Sequence, residues 1–370
     1  MKRLILLLIT SVLMLSLVGC TLPREGSFEH FTVADVFSYV FKLAFGPIFK
    51  EVPKGLSSDN IPDEHSEDTT SIAFTLIGDI MFTENIQNDL YRAYPEKLKE
   101  SDLTIANLEF PINPSKGPSG FPHFNGTTEF FERAVLPLHP DILNMANNHC
   151  LDQGTEGLYT TMELLKRYKI LFTGVKLNSK QYIVLELKGV KIALTGFTYS
   201  TNAMKDAGDE IVNKLRLNRP CHIEEEIVPL ISLVQEMKEK ADIVIAILHW
   251  GFEYEFSPTE NQIYIAHKLI ETGADMIIGH HPHVLQDFEY YTGENGRKGL
   301  IFYSLGNWTT GMNWLYTRTT AVINVRLDKK GNVLSVETYP FIFEDGKFNP
   351  LVEFRDNKFL PDSFKIHSAW

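Results

Sequence analysis

Residues 274–286 read ADMIIGHHPHVLQ. The apolar run Met276-Ile277-Ile278 stops at Gly279, and three histidines follow within four positions: His280, His281 and His283. A run this short and this rich in β-branched residues suits a strand buried on both faces better than a helix. The same arrangement, an apolar run followed at once by a small polar group, recurs along the chain. It is seen in IAFTLI (72–77) before Gly78-Asp79, LTIA (103–106) before Asn107-Leu108-Glu109, and ILNMA (142–146) before Asn147-Asn148-His149. IVIAIL (243–248) precedes His249-Trp250-Gly251, and LIFY (300–303) precedes Ser304 to Asn307.

Helical patterns lie between these runs. TEGLYTTMELLKRYKI (155–170) puts Leu158, Met162 and Leu165 on one face, with Thr155 as its expected cap, and PTENQIYIAHKLIETG runs from Pro258 to Gly273. Strands alternating with helices predict an α/β protein. AVINVRLDKKGNVLSVETYPFIF (321–343) reads as two strands joined at a Lys-Lys-Gly-Asn turn, so the sheet is expected to be mixed.

The N-terminus is of a different kind. Lys2 and Arg3 precede an apolar stretch ending in Leu17-Val18-Gly19-Cys20, which reads as an export signal over 1–19 followed by a lipobox-like cysteine. Cys20 would then carry a lipid, and the protein would sit on the outer face of the cell membrane. An uncleaved N-terminal membrane helix is the alternative, and both place the bulk of the chain outside the cytoplasm. Residues 28–49 are rich in Phe and predict a helix, packed on the main domain or lying at the membrane surface. A polar, Pro-interrupted stretch follows. The expected division is therefore 1–19 signal, 20–70 anchored segment and linker, and 71–370 catalytic domain.

Beyond Cys20 only Cys150 and Cys221 remain, so at most one disulfide is available and the core must hold the fold. The formal net charge of −12 argues against nucleic acid as a partner.

In sheets of this type ligands gather beyond the carboxyl ends of the strands. Polar groups at successive strand ends therefore predict one site, supplied by Asp79, Glu109, Asn148, His149, His249 and the histidines of 280–283. Carboxylate, amide and imidazole without thiolate suit borderline divalent metals such as Mn, Fe or Zn. Pro282 disfavours a helical conformation for His281, so an extended segment is expected, in which His281 and His283 point the same way and His280 the other.

With LIGDIMF, ANLEFPI, MANNHCLDQG, LHWGFEY, IGHHPHVLQ and YSLGNW in this order, the chain resembles the bacterial CapA family associated with poly-γ-glutamate capsule synthesis, from about residue 72 to about residue 325. That family is similar in turn to calcineurin-like metallophosphoesterases. The resemblance implies a four-layer α/β/β/α sandwich of two mixed sheets flanked by helices, with two metal ions at the strand ends, roughly 3.5–4 Å apart. By the same resemblance Asp79 and His283 would bind one metal, Glu109 would bridge, and Asn148, His249 and His281 would bind the other. His149 would protonate a leaving group, while Asn107, His280 and Asn307 would stand behind the ligands. The position two residues after Asp79, a histidine in phosphoesterases, is Met81, a poor donor for a hard cation. The expected function is membrane-anchored capsule synthesis or export, in contact with poly-γ-glutamate and capsule-synthesis membrane proteins. Hydrolysis of a phosphoester or amide in another envelope substrate is the alternative.

Overall fold

All six apolar runs fold as parallel strands, three in each of two sheets. The computed structural model describes residues 33–45, 71–96, 101–176, 180–202, 211–218, 222–351 and 359–369, with Ser58, Ile61 and Met204 besides. The expected signal, Cys20 and Cys221 lie outside the described residues. No helix among the described residues is long and apolar enough to cross a membrane.

The first sheet begins with β1 (Ile72–Ile80), β2 (Leu103–Leu108), β3 (Ile142–Asn144) and β4 (Leu171–Thr173), all parallel. The second consists of β5 (Tyr182–Leu187), β6 (Val190–Thr198), β7 (Ile243–His249), β8 (Met276–His280), β9 (Phe288–Thr292) and β10 (Lys298–Phe302). The chain then returns to the first sheet through β11 (Asn307–Thr309), β12 (Thr319–Leu327), β13 (Val333–Glu344) and β14 (Lys347–Pro350). The spatial orders are β14-β13-β12-β1-β2-β3-β4, with β11 also paired to β1, and β5-β6-β7-β8-β10-β9. Both sheets are mixed: β12 runs antiparallel to β1, and β9 antiparallel to β10. The β12–β13 hairpin turns where its sequence predicts, with Asp328 Oδ1 accepting from the backbone of Lys330 and Asn332.

The helices sort the layers. Among the described residues helix α1 (Val33–Phe45) comes first. Helix α2 (Gly154–Arg167) buries Leu158, Met162 and Leu165 on the outer face of the first sheet. Helices α3 (Val228–Lys240) and α4 (Glu260–Thr272) cover the second sheet, packing Leu230, Val234, Ile265 and Leu269 against β7 and β8. Between the sheets lies a third apolar layer in which Leu76, Ile105 and Ile323 meet Ile245, Ile278 and Leu300. The fold is thus an α/β/β/α sandwich, and strands covered on both faces are why the sequence shows unbroken apolar runs.

Two local expectations are corrected. Thr155 lies inside α2, whose N-cap is Gln153 without a side-chain bond, because the chain already turns at Gly154 with φ 68°. Helix α4 begins not at Pro258 but after Thr259, whose side chain accepts from Gln262 N while the Gln262 side chain accepts from Thr259 N.

Candidate metal centre

The parallel strands of both sheets present their carboxyl ends to one place. Strand β1 brings Asp79, β2 is followed directly by Glu109, and the loop after β3 carries Asn148 and His149. From the second sheet, β7 ends on His249 and β8 on His280, with His281 and His283 just beyond. Asp79, Glu109, His249, His280 and His281 are 0% exposed, which raises the question of what balances so many polar groups out of reach of water.

Neighbouring side chains answer for part of it. Asn107 Nδ2 donates to Asp79 Oδ1 at 2.8 Å and lies 3.4 Å from His249 Nδ1, while Asn107 Oδ1 accepts from Asn144 Nδ2 at 2.9 Å. The His281 backbone N–H donates to Asp79 Oδ2 at 3.1 Å. His249 Nε2 lies 2.8 Å from Asn148 Oδ1. His283 Nδ1 pairs with Asn307 Oδ1 at 2.8 Å, and His149 Nδ1 with Asp152 Oδ2 at 2.7 Å. In each of these last two pairs an N–H on Nδ1 leaves Nε2 as the available nitrogen.

The remainder makes no aligned hydrogen bond: neither ring nitrogen of His281 has one, nor does either carboxylate oxygen of Glu109, whose Oε1 lies 3.5 Å from His249 Nε2 and 3.9 Å from His283 Nε2. The donor atoms nevertheless converge. One atom each from Asp79, Glu109 and His283 lie within 4.8 Å of one another, and so do one each from Glu109, His249 and His281. Glu109 is common to both groups. Burial first, then the charges of Asp79, Glu253 and Asp152, pushes its carboxyl well above the usual range. Burial and then the neighbouring histidines hold His249 well below its ordinary value, and burial and then His283 do the same to His281. Burial would raise Asp79 too, but the charge and close polar contact of His280, the charge of His283 and the His281 N–H outweigh it and hold it low. Neutral imidazoles facing a buried carboxylate that makes no aligned hydrogen bond form a donor set suited to a divalent cation.

The route by which the histidines reach this place differs from the extended segment expected. His281 and His283 have φ of 98° and 58°. Pro282 disfavours the helical region for its predecessor but does not enforce extension, and the chain turns so that both rings face inward, 5.8 Å apart. Such conformations each cost on the order of 1–3 kcal/mol and persist only where surroundings impose them. His280 does not turn its back on the site either. Its Nδ1 lies 2.8 Å from Asp79 Oδ1, an ion-pair contact without hydrogen-bond alignment, and the ring belongs to neither donor group.

Two residues escaped the sequence reading. Asp152 holds His149 and also accepts from Phe124 N; its i+3 spacing within NNHCLD was the available signal. Glu253 shares a third group of donor atoms with His281 and His283. Above these groups opens a cavity of about 760 Å³, lined by His149, His283, Met81 and Glu253 below and by Phe121 and Trp314 farther out. No Lys or Arg lines it among the described residues.

The family model described as Bacterial capsule synthesis protein PGA_cap matches residues 73–312. The chain is similar to a PGA biosynthesis protein CapA of Bacillus subtilis (strain 168), 32% identical over 83% of this chain and 79% of that protein. It is similar also to a capsule biosynthesis protein CapA of Bacillus anthracis, 29% identical over 80% of this chain and 73% of that protein. Among solved structures, a 5'-nucleotidase precursor from Thermus thermophilus overlaps 74% of this chain and 54% of its own, with a TM-score of 0.43 and 12% identity.

Proposed function

The chain belongs to the bacterial capsule synthesis protein family PGA_cap, and from that premise we propose that it takes part in poly-γ-glutamate capsule synthesis or export at the outer face of the cell membrane, with a centre of two divalent cations. Glu109 carries the reading. A fully buried carboxylate with no hydrogen bond, common to two convergent donor groups, is what a bridging ligand leaves behind when considered without its cations. Asp79, Glu109 and His283 would hold one cation, and Glu109, Asn148, His249 and His281 the other, with Mn, Fe or Zn matching the donors. A lipid on Cys20 would tether the protein among the membrane components of capsule synthesis. The cavity offers no cationic side chain among its described lining, so the carboxylates of an acidic polymer would be met by the cations themselves. Cells carrying His281→Ala with His283→Ala should lose both bound metal and cell-associated polyglutamate. Unchanged polymer output from a metal-free variant would sink the reading.

The His149–Asp152 pair favours a second reading, hydrolysis of a phosphoester or amide in an envelope substrate. When bound, the cations supply Lewis-acid polarisation. Asp152 fixes the imidazole through Nδ1, Phe124 packs edge-on against the ring with centroids 4.7 Å apart, and Nε2 remains to hold or release a proton at a leaving group. Metal-loaded protein should then turn over phosphoester or γ-glutamyl amide substrates, with His149→Ala slowing turnover about 100-fold or more. No turnover of either class by fully loaded protein would exclude it.

A further inference from the structure

Glu253 stands outside the six strand-end groups that the sequence singles out, yet the fold delivers it to the metal centre. Strand β7 ends at His249, and the chain reverses at Gly251, where φ is 82° and Asn218 brackets the peptide: its Oδ1 accepts from Gly251 N and its Nδ2 donates to Gly251 O. Tyr254, itself at φ 63°, donates its backbone N–H to Pro282 O at 2.9 Å. That bond pins the loop after β7 against the turn that carries His281 and His283. One carboxylate oxygen of Glu253 and one ring nitrogen from each of these histidines consequently lie within 4.8 Å of one another. Both nitrogens of His281 are buried without a hydrogen-bond partner, so this third group, like the other two, converges on an unmet donor.

We propose that Glu253 is a further metal ligand, closing the centre on its cavity side, and that Tyr39 of α1 and Tyr254 position its carboxylate. The inference rests on the divalent-cation reading of the centre. Three observations carry it. Met81, which lines the same cavity, offers only a thioether where a harder donor is wanted. Glu253 is only half-buried, in reach of water that Glu109 lacks, and it lines the cavity that a ligand must enter. Tyr39 and Tyr254, stacked with ring centroids 6.2 Å apart, line the same cavity beside it. A carboxylate flanked by two stacked tyrosines while facing two histidines has the arrangement in which neighbours behind a ligand fix its direction. Tyr39 further makes the metal centre dependent on the helix that precedes the main domain in the chain.

The full chain, stripped with chelator, is titrated with Mn²⁺ alone and with Zn²⁺ alone by calorimetry, and metal content is counted after desalting. Glu253→Gln, which keeps size and removes the charge, should lose one equivalent or weaken the looser site about 10–100-fold. Tyr39→Phe, which leaves Glu253 in place and retains the ring stacked on Tyr254, should weaken the same site roughly 10-fold. A native protein that binds cations while the Glu253→Gln isotherm superimposes on it overturns the assignment of Glu253 alone. A native protein that takes up no divalent cation overturns this inference together with the reading it rests on.

Discussion

Gly78 shows how tightly the residue before the candidate ligand Asp79 is constrained. A Cβ at this position would stand 2.2 Å from Gly306 O and 2.8 Å from Leu305 O, backbone atoms of the segment leading into β11, which pairs Asn307 with Asp79. Gly78→Ala must therefore push β1 and β11 apart and move Asp79 with them. The expected loss is about 1–3 kcal/mol, read as a lower denaturant midpoint, whereas Gly117→Ala, with nothing within 4 Å of its Cβ, should leave the midpoint where it was. Equal midpoints for the two variants would contradict the packing. Asp79, Glu109, Asn148 and His249 were legible in the sequence because a strand end has a fixed place in a sheet, so order along the chain translates into position. Asp152 and Glu253 were not, since each reaches the site through a loop whose path depends on contacts with distant residues, Phe124 in one case and Pro282 in the other. His281 and His283 fall between: their convergence was legible, but the positive-φ turn that achieves it was not, because Pro282 restricts its neighbour without selecting one conformation.

Element by element, legibility followed burial. Strands covered on both faces, such as β7 and β8, announce themselves as unbroken apolar runs. Edge strand β5 alternates between covered and open positions, and β11 is three residues long, so neither carries such a signal. Helix α1 was legible as a helix from its Phe-rich composition, while its grip on the domain came only with the fold. Tyr39 stacks on Tyr254, and Lys42 forms a buried ion pair with Glu255. Removing one partner of a buried pair costs about 3–5 kcal/mol. Lys42→Ala should express that cost locally, as faster hydrogen exchange over residues 33–45 with β7 and β8 unaffected. Exchange over α1 unchanged from the native protein would mean that the stack and other contacts hold the helix without this pair.

The whole molecule packs two sheets face to face beneath a charged centre, so its stability should report on that centre. Without a cation the buried Glu109 carboxylate opposes folding. Its pKa in the fold lies above the ordinary value of 4.5, so its contribution is fully favourable below that value and is lost as pH rises through the raised one. His249 and His281, lowered from 6.5, act in the opposite direction: their contribution is present above 6.5 and is lost as pH falls below it. A divalent cation held as proposed would bind the ionised carboxylate and the neutral imidazoles, remove the first penalty and compete with protons for every ligand. At about one hundred times its dissociation constant a cation should add roughly 2.7 kcal/mol, or on the order of 5 °C in melting temperature. Chelator should therefore lower the melting temperature, and the gap between loaded and stripped protein should widen from about pH 5.5 to about pH 8 as proton competition falls away. His281→Ala with His283→Ala should close the gap at every pH. A gap that stays constant or narrows toward alkaline pH would show that the stabilising cation does not sit on Glu109, and the bridging role would have to pass to another carboxylate of the centre.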